Sequence, residues 1–161
     1  MSTRRRLPAK AGTGAQLGRL GDFIGFRLRR LQNHLARDFA AAARKLKPRS
    51  GLMSALAIIE ANPGISQRAM AAKIGLDKSP AVILVDELES RGLAVRRPAE
   101  TDRRRHALHI TPAGTRWLDS SCAILRNTES TVLGQLSPRE LKVLHGLLDR
   151  MYNACSEEAS S

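Results

Sequence analysis

Between Ile65 and Thr111 the chain places two short amphipathic segments of helical period either side of one glycine turn, and follows them at once with an arginine-rich hairpin. Ser66 stands where it can cap the free amides of a first turn, and Ile65 and Met70 are spaced as a hydrophobic staple over it. Gly75 ends that segment. After Gly75-Leu76 a second helix begins, capped either by Asp77, or by Ser79 with Pro80 in the first helical position. Its Ala81, Leu84, Val85 and Leu88 fall at i, i+3, i+4 and i+7, so they share the core-facing stripe and turn Lys78, Ser79, Val82 and Ile83 outward. Gly92 stops it.

Leu93-Ala94-Val95 then starts a strand, Arg96 to Arg105 forms a polar loop with five arginines, and Leu108 and Ile110 alternate as the returning strand. Thr111-Pro112 caps and opens the next helix without a linker. Two helices about a glycine turn form either an ordinary helical hairpin or a helix-turn-helix, whose second helix has the size to lie in a DNA major groove. The positively charged hairpin that follows favours the latter.

These residues resemble the MarR family of winged-helix transcription regulators. The resemblance rests on Leu76-Asp77-Lys78-Ser79, on Leu84 to Leu93, on Asp102-Arg103-Arg104, and on Leu108-His109-Ile110-Thr111-Pro112-Ala113-Gly114, and it holds in register from about Lys47 to Leu118. The Asp-x-Arg wing followed by a strand and Thr-Pro-x-Gly is its specific part. Where many members carry Thr and Arg in the recognition helix, this chain has Val82 and Ile83, so base readout does not transfer from them. The fold expected is mainly α: a winged helix-turn-helix core of three helices and a two- to three-stranded β-wing over 47–111, with helices at both ends, 17–46 and 112–158, forming a dimerisation region.

The bulk properties agree with a nucleic-acid partner. A formal charge of +12 on 161 residues favours an anionic surface, and double-stranded DNA leads because counterion release drives binding; anionic membrane and acidic protein are the alternatives. No apolar run of about 18 residues is present to span a bilayer. Arg4-Arg5-Arg6-Leu7-Pro8 has no apolar segment behind it, which argues against a secretory signal, and two distant cysteines point to a reducing, cytoplasmic setting. Residues 1–16, rich in Arg, Lys, Gly and Ala, read as a disordered basic arm that either touches phosphates or is a solvated tail.

Leu17, Leu20, Ile24, Leu28, Leu31, Leu35 and Phe39 alternate steps of three and four, marking one face of a long helix from Leu17 to about Leu46. Pro48 ends it, and Ser50 can cap the next helix, whose Leu52, Leu56 and Ile59 point inward until Asn62-Pro63-Gly64. Beyond the hairpin a helix runs from Thr111 to about Leu133 with Trp117, Leu118, Leu125 and Val132 on its apolar side. Ser137-Pro138-Arg139-Glu140 is a capping box, and Leu141, Leu144, Leu148, Met151 and Cys155 follow it as a seam that needs a partner. That partner is either the first helix or a second subunit; the resemblance implies a homodimer through Leu17, Leu20, Ile24, Leu141, Leu144, Leu148 and Met151.

A two-fold dimer presents two recognition helices about one DNA turn apart and selects a palindromic operator. Lys78, Ser79, Pro80, Val82 and Ile83 are expected in the major groove, with Val82 or Ile83 on thymine methyls and Lys78 on a phosphate or guanine edge. Ser66, Gln67 and Arg68 are expected on phosphate. In the wing, Arg104 is expected in the minor groove, oriented by Asp102 or with Asp102 merely forming the turn, while Arg103 and Arg105 hold phosphate.

The resemblance also implies a small aromatic effector bound between dimer helices and core, with Phe23, Phe26, Arg27, Arg30, His34, Met53 and Trp117 as candidate lining; for the aromatics plain core packing is the competing role. The chain looks like the branch tied to hydroxycinnamate breakdown, whose effectors are acyl-CoA thioesters, and its surplus arginine suits their phosphates. The action expected is repression relieved by that effector. Peroxide-sensing relatives use a cysteine in the first helix, absent here; Cys122 and Cys155 read as small hydrophobes, and a cysteine-based redox switch is the lesser alternative. His34, His106, His109 and His145 have no ligand spacing, so no metal or other cofactor is expected. No nucleophile–base pair, acid pair or phosphate loop marks an enzyme. A ligand-independent architectural DNA binder remains the other class.

Overall fold

A computed structural model describes residues 16–98 and 106–158. Among them it contains six α-helices and three strands: α1 (Ile24–Ala42), α2 (Leu52–Ala61), β1 (Ile65–Ser66), α3 (Gln67–Lys73), α4 (Lys78–Ser90), β2 (Ala94–Pro98), β3 (His106–Ile110), α5 (Pro112–Leu133) and α6 (Pro138–Glu158). The sheet is antiparallel in the order β1-β3-β2. The chain divides into two compact units, Met1–His34 and Leu35–Ser161.

In the first unit the long helix expected from Leu17 is broken. Gly18–Asp22 forms a 3₁₀ turn, Gly18 has a φ of +52°, and Phe23 is extended before α1 starts. The Arg27 Nε–H donates to the Gly21 carbonyl at 2.7 Å, satisfying backbone that a continuous helix would have paired internally. The far end is corrected too: α1 stops at Ala42, and Arg44–Leu46 is a separate 3₁₀ turn ending in a left-handed Lys47 at φ +47°.

The second unit is built on one apolar cluster. Leu52, Ala55, Leu56 and Ile59 from α2 meet Met70 of α3, Leu84, Val85 and Leu88 of α4, Leu93 and Ala94, Leu108 of β3 and Leu118 of α5. The stripe expected on α4 is thus the buried one. Truncating a fully buried leucine such as Leu56 or Leu108 to alanine would cost about 2–5 kcal/mol. The start of α2 departs from expectation, because Gly51 at φ +86°, not Ser50, occupies the cap. Only a residue at ease in the left-handed region suits that position, and an added Cβ there would also press on Leu84 at 3.2 Å.

Three other helix starts follow local chemistry. Ser66 Oγ accepts from the Ala69 amide, and Thr111 Oγ1 accepts from Gly114 N–H at 2.9 Å. Ser137 donates its amide and hydroxyl to the Glu140 carboxylate, at 2.9 and 2.7 Å, closing the capping box and holding that carboxyl below its ordinary range. Of the two possible starts of α4, the backbone selects Asp77 as cap, although its side chain makes no capping bond, and Pro80 stands third in the helix.

Candidate nucleic-acid interface

The outward face of α4 is set by what its inward face buries. With Ala81, Leu84, Val85 and Leu88 in the core, Lys78, Ser79, Pro80, Val82 and Ile83 lie on the surface. Val82 is 37% and Ile83 53% exposed, so two branched apolar side chains stand in solvent beside a lysine. Between α3 and the start of α4 runs a groove of about 590 Å³ lined by Gln67, Arg68, Ala71, Ala72, Leu76, Asp77, Lys78 and Ala81. Two cations and one carboxylate border it. Arg68 is exposed, while Ser66 and Gln67 are half-buried.

The strand that carries the wing holds a residue which the sequence reading misplaced. Arg96 was expected in the polar loop; instead β2 continues through Arg96 and Arg97 to Pro98, pairing Arg96 with Leu108 and Pro98 with His106. From that strand the Arg96 guanidinium donates to Asp86 Oδ1 at 2.7 Å, to a Glu89 oxygen, and to Gln67 Oε1 at 3.1 Å, while the Arg96 amide donates to Glu89 Oε1 at 2.9 Å. One side chain thereby joins β2, α4 and α3. The sequence signal was present in Asp86 and Glu89, three apart on one helix face, with an arginine seven residues on.

A second charged cluster gathers on Glu87, between Asp86 and Glu89 in the same C-terminal half of α4. Arg49 and Arg91 each reach Glu87 at 2.5 Å, and Arg91 also donates to the Lys47 carbonyl at 2.8 Å. The Arg49 hydrogen bond, reinforced by the charges of Arg91 and Arg49 and opposed by burial, holds the Glu87 carboxyl below its ordinary value. The Trp117 indole N–H donates to the Leu46 carbonyl at 3.2 Å, so α4 and α5 grip the same turn.

The remaining candidates fall as follows. Asp102, Arg103, Arg104 and Arg105, and the arm over 1–15, lie outside the described residues. Phe23, Arg27, Arg30 and His34 are exposed and Phe26 half-buried in the first unit. Met53 and Trp117 pack against the core of the second. Leu17 is half-buried, Leu20 and Ile24 are exposed; on α6, Leu141 and Leu144 are half-buried, Leu148 and Met151 exposed. Cys122 is half-buried against the core. Among the described residues no group of His, Cys, Asp or Glu could hold a metal ion, and no helix is long and apolar enough to cross a membrane.

Comparison with known proteins fits this geometry. The MarR family's sequence pattern matches residues 53–105. The putative transcriptional regulatory protein for the hcr operon of Thauera aromatica is 38% identical over 141 residues, covering 87% of this chain and 85% of that protein. The chain belongs to the MarR family. Two solved structures are also close: the transcriptional repressor CouR bound to a 23-mer DNA duplex, at 27% identity and a TM-score of 0.78 over 87% of this chain and 99% of that one, and CouR from Rhodococcus jostii RHA1 bound to p-coumaroyl-CoA, at 30% identity and a TM-score of 0.73 over 83% and 94%. As a MarR-family member the protein is a DNA-binding transcriptional regulator with a winged helix-turn-helix fold, in a family of regulators and not of enzymes.

Proposed function

We propose that this MarR-family regulator works as a homodimer that represses transcription from an inverted-repeat operator and releases it on binding an aromatic effector, an aromatic acyl-CoA thioester. The observation that carries the reading is the outward face of α4, where Val82 and Ile83 stand exposed beside Lys78. Exposed branched side chains on a recognition helix suit thymine methyls, and Lys78, Gln67 and Arg68 along the adjoining groove, with Ser66 capping α3 beside them, suit phosphate. The wing residues Arg103, Arg104 and Arg105, with Asp102, complete the contact on sequence grounds alone.

The dimer reading draws on α6, whose seam leaves Leu148 38% and Met151 48% exposed in the single chain. An apolar helix face of that extent is stabilised by a second copy of itself. On this reading 47–111 reads DNA and 17–46 with 112–158 dimerises. The effector class follows the relatives: CouR of Rhodococcus jostii RHA1 binds p-coumaroyl-CoA. Arg27 and Arg30, with their neighbours Phe23, Phe26 and His34, offer the charge and rings that such a thioester needs.

The test is release of a labelled duplex, chosen by selection from a randomised library, followed by anisotropy. Inverted repeats should dominate the selected pool, and p-coumaroyl-CoA should lower affinity at least tenfold, well beyond any effect of free p-coumarate or CoA. A pool without inverted repeats would overturn the operator reading, and indifference to all three compounds the effector reading.

A further inference from the structure

The Arg96 guanidinium makes three separate attachments from β2, and only two are to acids. Asp86 Oδ1 at 2.7 Å and a Glu89 oxygen neutralise it, and the third partner is the neutral Oε1 of Gln67 at 3.1 Å. A guanidinium has no acceptor, so it can engage only the oxygen of a carboxamide. Holding the oxygen fixes the plane of the amide and leaves its NH₂ group as the free end. Gln67 also lines the groove shared by Arg68 and Lys78, the two cations there.

We infer that Arg96 is a positioning residue for DNA binding: its fork locks the Gln67 carboxamide so that the NH₂ group is presented in the groove as a donor to a backbone phosphate. This rests on the DNA-binding face proposed above and adds to it a residue that touches no nucleic acid. It also assigns Gln67 a sequence-independent role. Reading adenine needs an amide that offers oxygen and nitrogen together, and here the oxygen is committed to Arg96.

The chemistry separates this from a general structural role. Lysine at position 96 keeps the charge opposite Asp86 and Glu89 but lacks the planar fork needed to serve three acceptors. The probe is a fluorescein-labelled mixed-sequence duplex, sufficient because phosphate contacts carry no sequence information, titrated across a salt series. Gln67→Ala should weaken binding on the order of tenfold for each subunit of the dimer, as expected for a hydrogen bond to a charged group. The salt slope should stay unchanged, since no ionic contact is lost, whereas Arg68→Ala should flatten it by about 0.9 for each subunit, about 1.8 for the dimer. Arg96→Lys should reproduce the Gln67→Ala loss, and the double variant should bind no worse than either single one. Losses that multiply in the double variant, or wild-type affinity in Arg96→Lys, would overturn the inference.

Should Arg96→Lys fail to fold, Gln67→Glu leaves Arg96 intact. Its carboxylate still accepts from Arg96 but offers phosphate no N–H, so binding should fall below that of Gln67→Ala while the thermal midpoint holds. Binding equal to wild type overturns the proposal. Failure of the wild-type protein to bind any duplex would remove the DNA-binding reading as a whole, an outcome distinct from wild-type binding that is indifferent to position 67.

Discussion

Gly114 sits in the first turn of α5, where Thr-Pro-x-Gly brings the helix onto the backbone that leads into β2. A Cβ added there would lie 2.0 Å from the Leu93 carbonyl oxygen and 2.8 Å from Ile110 Cγ1, in the first case more than an ångström short of an ordinary contact. The Leu93 carbonyl cannot simply retreat. It accepts from the Thr111 amide at 3.0 Å, Thr111 Oγ1 lies 3.1 Å from it, and the adjoining Ala94 is paired with Ile110. Forcing the backbone apart in a packed region costs about 3 kcal/mol. The better helix propensity of alanine returns at most about 1 kcal/mol, leaving Gly114→Ala net destabilised by about 2 kcal/mol. For a chain of this length that is a fall of about 4–8 °C in thermal midpoint at fixed protein concentration. Gly146→Ala on α6, where nothing lies within 4 Å of the new Cβ, is the matched control and should hold or raise the midpoint. A Gly114→Ala midpoint within about 1 °C of wild type would refute the close approach inferred at Leu93.

Other outcomes follow from the same structure. Glu87→Gln should destabilise by about 1 kcal/mol near neutral pH, the scale of a partly exposed ion pair. Because the folded-state pKa of Glu87 is depressed, that contribution is present above its unfolded value and disappears as pH falls through the folded one. The gap between variant and wild type should therefore close below about pH 4.5, and a gap constant through acid would contradict the pairing with Arg49 and Arg91. Ile83→Ala, at a side chain 53% exposed, should leave the melting temperature nearly unchanged yet weaken the selected duplex severalfold; a variant that binds as wild type would remove Ile83 from the reading surface. Replacing both Leu148 and Met151 by glutamate should shift sedimentation from dimer to monomer with helix content kept, and an unshifted profile would place the interface elsewhere.

What the sequence disclosed, and what it hid, divides by range along the chain. Ser66, Thr111 and the Ser137–Glu140 box each act within a single turn, so their helices start where the residues say. The buried face of α4 was equally legible, because four residues at helical spacing encode it. The end of β2 was not: Arg96 to Pro98 are strand only because Leu108, Ala107 and His106 pair with them. Short β1 depends on the same distant partner, Ile65 lying opposite Leu108. The break before α1 escaped for another reason. Steps of three and four in Leu17, Leu20 and Ile24 persist across a 3₁₀ turn, and periodicity does not register which carbonyl each amide uses. At the candidate site the outward residues of α4 were foreseen. The Arg96 bridge was not: Asp86 and Glu89 mark an acidic face for it, but only the pairing of Arg96 with Leu108 puts that arginine in a strand beside them.

The central claim, that two copies of the chain each set α4 into one half of an inverted repeat, is tested most directly by hydroxyl-radical footprinting on the selected duplex. Two equivalent protected tracts related by two-fold symmetry, their centres about one helical turn or 10 base pairs apart, are expected. A single protected tract, or protection with no fixed position on the duplex, would contradict it.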